Sequence, residues 1–73
     1  MIAALLADLP SGMVPRARVI DHLLDLRGCL EPEDRHLVER TLADTPGITL
    51  VDHQWWVDCL TALDLDLAGA AAS

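Results

Sequence analysis

Ile48-Thr49-Leu50-Val51-Asp52-His53-Gln54-Trp55-Trp56-Val57 is the stretch whose reading decides the fold. Its first four residues include β-branched side chains and suit an extended backbone. Residues 52–57 have two readings. In the first, Asp52 caps a helix, Val51 and Trp56 hold the positions of a hydrophobic staple, and Trp56, Cys59, Leu60, Leu63 and Leu67 keep helical phase. In the second, Asp52-His53 turns a hairpin between 48–51 and 54–57, which would make the chain an α+β winged helix-turn-helix. Asp-His is a poor two-residue turn beside Asn-Gly or Asp-Gly, and the helical phase runs on for three turns, further than a wing requires. The helix is the preferred reading, with the hairpin at 48–57 as the alternative.

Upstream, three more helices are expected. Ile2, Leu5, Leu6 and Leu9 fall on one helical face, and Pro10-Ser11-Gly12 ends it. Pro15 suits the first turn of a second helix with an apolar stripe of Val19, Ile20, Leu23, Leu24 and Leu26, and Gly28 is placed to cap its C-terminus. The third opens on Glu31-Pro32-Glu33-Asp34, which sets proline in the first turn and carboxylates at the positive end of the helix dipole. Leu37, Val38 and Leu42 face inward, while Glu31, Arg35 and Glu39 succeed each other at i to i+4 outside. Thr45, preceding Pro46, is driven out of helical geometry, so this helix ends near Asp44. The expected fold is all-α: a small four-helix bundle over about 1–9, 15–27, 32–44 and 52–66, with an extended segment at 48–51. Residues 1–68 read as one domain, and 69–73 as a disordered or weakly helical tail of small residues.

Size and charge narrow the function. A chain of 73 residues buries only about 60% of the surface its unfolded form exposes. Fourteen leucines, five valines and three isoleucines allow a small core. A substrate cleft of the usual size, roughly 300 Å³ or more, would take residues from that core, so the expectation is no enzyme. The net charge is −7 and there is no lysine. All five arginines lie between Arg16 and Arg40; beyond Arg40, Asp44, Asp52, Asp58, Asp64 and Asp66 stand without a Lys or Arg. That field repels nucleic-acid phosphate and anionic membranes and suits a basic partner or plain solubility. The apolar opening Met1–Ala7 has no basic flank and is broken by Asp8, so it is too short for a span or a secretory signal, and a cytoplasmic location is expected.

Constellations for chemistry are sparse. His22, Cys29, His36, His53 and Cys59 can ligate zinc, but structural sites usually begin with two ligands about two to four residues apart. Cys29 and His36 are separated by six residues, His53 and Cys59 by five. The two leucine-flanked cysteines fit reduced core thiols better than a disulfide. Neither cysteine has a base at a spacing that implies activation. Ser11 and Ser73 are the only serines and lie outside any nucleophile motif. Small size, helices and acidity invite comparison with acyl carrier proteins, but neither serine stands in the Asp-Ser-Leu triplet that carries the arm in that family. No cofactor, metal or catalytic residue is expected.

The tryptophans carry the functional expectation. There is no Phe or Tyr, yet Trp55 and Trp56 are adjacent, and on a helix they point about 100° apart. With Trp56 in the core, Trp55 lies at the edge of that face as an interface anchor, beside Val51 and Leu50; the alternative is that both rings merely cap a small core. The expected function is a non-catalytic, acidic protein-protein interaction module, whether adaptor, antitoxin-like or regulatory, that docks on a protein partner or a second copy of itself. The alternative is a winged helix-turn-helix DNA-binding regulator using Arg16, Arg18, Arg35 and Arg40, weakened by the carboxylates opening its third helix.

Overall fold

A computed structural model describes the backbone of residues 2–72 and the side chains of residues 2–69. In chain order it contains α1 (Ile2–Asp8), β1 (Met13–Pro15), α2 (Arg16–Cys29), α3 (Arg35–Asp44), β2 (Leu50–Asp52) and α4 (His53–Ala72). The protein is mostly helical, and the two strands form a small antiparallel sheet. The doubtful stretch divides after Asp52: residues 50–52 are extended, and Gln54–Val57 lie inside α4. No hairpin forms at 48–57. The partner of β2 is instead β1, with Met13 opposite Asp52, Val14 opposite Val51 and Pro15 opposite Leu50.

That sheet is added to the four expected helices. Three residues are too few to declare a strand by alternation. Pro15, expected in the first turn of a helix, is the last residue of β1 and adopts φ −59°, ψ 120° immediately before α2. The pairing extends past both strand ends, because Arg16 N–H donates to Thr49 O at 2.9 Å and His53 N–H to Gly12 O at 2.7 Å. Gly12 makes the approach possible with φ of 88°, a left-handed conformation that other residues adopt at a cost.

Helix boundaries shift for local reasons. Gly28 stays helical, and α2 ends when Leu30 swings to φ −91°, ψ 154° and packs partly against the core; a residue with apolar contacts replaces the expected glycine cap. The Glu31–Asp34 segment forms a tight turn, with Asp34 N–H to Glu31 O at 2.9 Å and Leu37 N–H to Asp34 O at 3.1 Å, before α3 proper begins at Arg35. The expected start at 32 is thus a turn of i to i+3 bonding. At the other end, Thr45 is extended at φ −65°, ψ 130° ahead of Pro46, as its position requires. The helix α4 runs beyond 66 to Ala72; of the tail expected at 69–73, Ser73 and the side chains after Gly69 lie outside the described residues.

One cluster collects buried side chains from every element: Ile2, Leu5 and Leu9 around α1, Val14 and Val51 from the sheet, Val19, Leu23 and Leu26 from α2, Val38 from α3, and Trp56, Leu60 and Leu63 from α4. Leu24, expected in the α2 stripe, is exposed. Thr41 on α3 and Thr45 just past its end are buried polar residues, and each hydroxyl donates to the carbonyl four residues back, Leu37 O at 3.2 Å and Thr41 O at 2.9 Å. On the outside, the expected i to i+4 pairs of Arg35 are replaced. Arg35 Nε donates to Leu30 O at 3.2 Å, and Glu39 pairs with Arg27 across to α2 at 2.8 Å. Side chains this long reach a neighbouring helix as readily as their own next turn.

Trp56 is fully buried, and no protein acceptor among the described residues meets its indole N–H, so ring volume is what it contributes. Trp56→Ala is expected to cost about 3–5 kcal/mol, comparable to the whole stability of a core this small; a loss below about 1 kcal/mol in urea unfolding would contradict the packing described. Gly12→Ala meets no atom within 4 Å, so its expected cost of roughly 1 kcal/mol is conformational. An unchanged melting temperature would show that Gly12 is not held in the left-handed region.

Candidate functional site

The candidate site is a groove between α3 and α4, of about 720 Å³, lined by Arg40, Thr41, Asp44, Trp55, Asp58, Cys59, Ala62, Leu63 and Asp66. Its geometry comes from helical periodicity. On α4 the lining residues step at intervals of three and four from Trp55 to Asp66, which makes one continuous face about 16 Å long. Arg40, Thr41 and Asp44 supply the facing wall from α3. Arg40, in the middle of α3, pairs with Asp66, late in α4, at 3.4 Å, whereas Asp44, at the end of α3, lies near Cys59 toward the start of α4. The two helices therefore run antiparallel.

The two tryptophans differ in burial. Trp56 enters the core, and Trp55 stands edge to face against it, with centroids 4.9 Å apart and planes at 82°. A T-shaped pair of this kind is a favourable contact, worth about 0.5–1.5 kcal/mol beyond the area it buries. Trp55 is half-buried, forming the end of the groove rather than projecting from the surface. Buried Leu63 and small Ala62 line it alongside Cys59, while Asp44, Asp58 and Asp66 are exposed carboxylates around it. Asp58 accepts from Gln54 Nε2 at 2.9 Å, one turn back on α4. The single cation among the described groove residues, Arg40, is already directed at Asp66.

The other expected docking residues lie elsewhere. Val51 is 2% exposed and belongs to the core, opposite Val14. Leu50, its neighbour in β2, points the other way by strand alternation and is 44% exposed, outside the groove. Trp55, Val51 and Leu50 therefore do not make one contiguous patch. Of the arginines proposed for DNA contact, Arg16 is half-buried at the start of α2, Arg18 is exposed, Arg35 is bonded to Leu30 O, and Arg40 faces Asp66. They are not gathered on one face of α3. The groove carboxylates are not among the residues that the sequence marks as site candidates, although Asp58, Ala62 and Asp66, spaced four residues apart and beginning three after Trp55, carry the signal.

The soft side chains are dispersed. Cys29 is exposed at the end of α2, and Cys59 is half-buried in α4. The His36 imidazole donates from Nδ1 to Glu33 O at 2.6 Å, and that of His53 to Pro10 O at 2.9 Å, so both rings serve the backbone. Among the described residues, no three of His, Cys, Asp or Glu converge closely enough to hold a metal ion.

Burial pushes the Cys59 thiol up from its ordinary value, and the Asp44 carboxylate pushes it further in the same direction. The proton is therefore retained at neutral pH, the reverse of an activated nucleophile. In alkylation followed by mass spectrometry, Cys29 is expected to react first. Asp44→Asn removes a charge that opposes the thiolate, so the Cys59 profile should move to lower pH; a shift upward, or none, would show that Asp44 does not act on this thiol. None of the family models, curated proteins or solved structures compared with the chain matches it.

Proposed function

We propose that the chain is a non-catalytic protein-protein interaction module that receives a partner in the groove between α3 and α4. A four-helix bundle pinned by the β1–β2 pair is the architecture we assign to it, in preference to a winged helix-turn-helix. The observation that carries the reading is Trp55: the half-buried tryptophan packs edge to face on Trp56 at the end of an open, acid-rimmed groove. A pre-oriented aromatic loses little entropy on binding, and such residues dominate interface energetics.

The remaining chemistry supports binding over catalysis. The groove thiol is held protonated by burial and by Asp44, and two of the three imidazoles are engaged by backbone carbonyls. Two of the five arginines, Arg27 and Arg40, sit against Glu39 and Asp66, and the net charge of −7 opposes a polyanion; both features favour a protein partner over nucleic acid. Adaptor, antitoxin-like and regulatory roles all fall within this reading.

The test is a quantitative comparison of two immobilised baits, the native chain and Trp55→Ala, in extract from the source cell. A partner seated in the groove is expected to be lost by at least about 30-fold with Trp55→Ala, the loss of a strong interface residue, with helicity by circular dichroism unchanged. Equal recovery on both baits would overturn the reading. A DNA gel shift at low salt that vanishes steeply with added salt would replace it with the nucleic-acid alternative.

A further inference from the structure

The groove has a length, a polarity and a charge, and together they specify what it takes. Its long wall is a single helical face of three turns, from Trp55 to Asp66, and its other wall is an antiparallel helix. Backbone donors and acceptors along both walls are consumed within their own helices. An extended peptide laid there would bring a row of N–H and C=O groups with no backbone edge to pair with, whereas a helix satisfies its own and offers only side chains. The space between two antiparallel helices is also the place where a third packs by interdigitation.

Charge selects among helices. The groove carries Asp44, Asp58 and Asp66 against Arg40 alone, and Arg40 is turned to Asp66 at 3.4 Å. Beyond Arg40 the chain has five acids and no Lys or Arg. A second copy of this chain would present a molecule of net charge −7 to that rim. Its own cations lie on α2 and α3, where Arg27 and Arg40 are already paired. Self-docking therefore sets like charge against like, whereas a cationic helix neutralises the rim.

Resting on the interaction-module reading above, we infer that the α3–α4 groove binds a cationic amphipathic helix of a partner protein: its apolar stripe sits on Trp55, Cys59 and Ala62, above buried Leu63, and its Lys or Arg side chains meet Asp44, Asp58 and Asp66. The apolar stripe supplies most of the affinity, and the carboxylates supply partner choice and on-rate.

The experiment uses the full chain with Cys29→Ser, an exposed position outside the groove, so that Cys59 is the sole thiol. The probe is a designed helix of about 18 residues, long enough to be helical alone, built of leucine and lysine with leucine on one face. Two controls accompany it, one with glutamate for every lysine and one with a central proline. The lysine helix is expected to slow Cys59 alkylation at least tenfold at saturation and to bind at least about tenfold more tightly than either control. Asp44→Asn with Asp58→Asn should weaken it roughly fivefold to tenfold, and Asp21→Asn with Asp25→Asn, on α2 away from the groove, should leave it unchanged.

Equal binding of the glutamate peptide overturns the charge rule, and equal binding of the proline peptide overturns the helical occupant. Equal weakening by the α2 substitutions shows general attraction to an acidic surface and overturns the site. Concentration-dependent protection of Cys59 without any peptide replaces the occupant with a second copy. If the lysine helix fails while a cellular partner still depends on Trp55, this inference falls and the module stands; if that dependence also fails, both fall.

Discussion

The pairing of Met13–Pro15 with Leu50–Asp52 is the constraint on which the rest of the structure depends. It joins segments on either side of the α2–α3 hairpin, and only three residues from each side take part. So short a ladder is not stable on its own. Its strength comes from Val14 and Val51, which face each other at its centre and are both buried in the common core. Two further contacts fasten the far end, His53 N–H to Gly12 O and the His53 imidazole to Pro10 O. The first residue of α4 is thereby tied to the turn after α1.

Fixing the first turn of α4 fixes the rotation of the whole helix about its axis. With Val51 directed into the core, Trp56 enters it too, and Leu60 and Leu63 continue the same face. Trp55, about 100° round the helix, is then carried to the α3 side, and the residues at three- and four-residue steps beyond it go with it. The rotational setting of one helix decides which side chains form core and which form groove. The aromatic pair joins the two regions, because Trp56 gives Trp55 a ring to rest on.

The groove stays open because the elements around it are already engaged. Four helices and a three-residue ladder bury a cluster of twelve apolar side chains, and among the described residues no further element covers the outer faces of α3 and α4. Three exposed carboxylates, Asp44, Asp58 and Asp66, stand around the cleft. The groove thus sets a partly buried aromatic within an acidic rim, its apolar and its charged surface coming from different residues.

Much of this is legible in the residues alone. The apolar phases of α1, α3 and α4, the break at Thr45-Pro46 and the inward setting of Trp56 all derive from local rules of period, proline sterics and burial, and so does the preference for a helix over a hairpin after Asp52. Local rules do not reach across the chain, and the tertiary structure decided the rest. Val51 became core because it met Val14, thirty-seven residues earlier. Gly28 stayed helical because Leu30 found apolar contacts. Glu39 left its own helix to pair with Arg27. The groove itself, with Asp44, Asp58 and Asp66 around Trp55, exists only where α3 and α4 lie side by side. Periodicity determines which face of a helix is apolar, but which other face ends up beside it is set by how the helices pack.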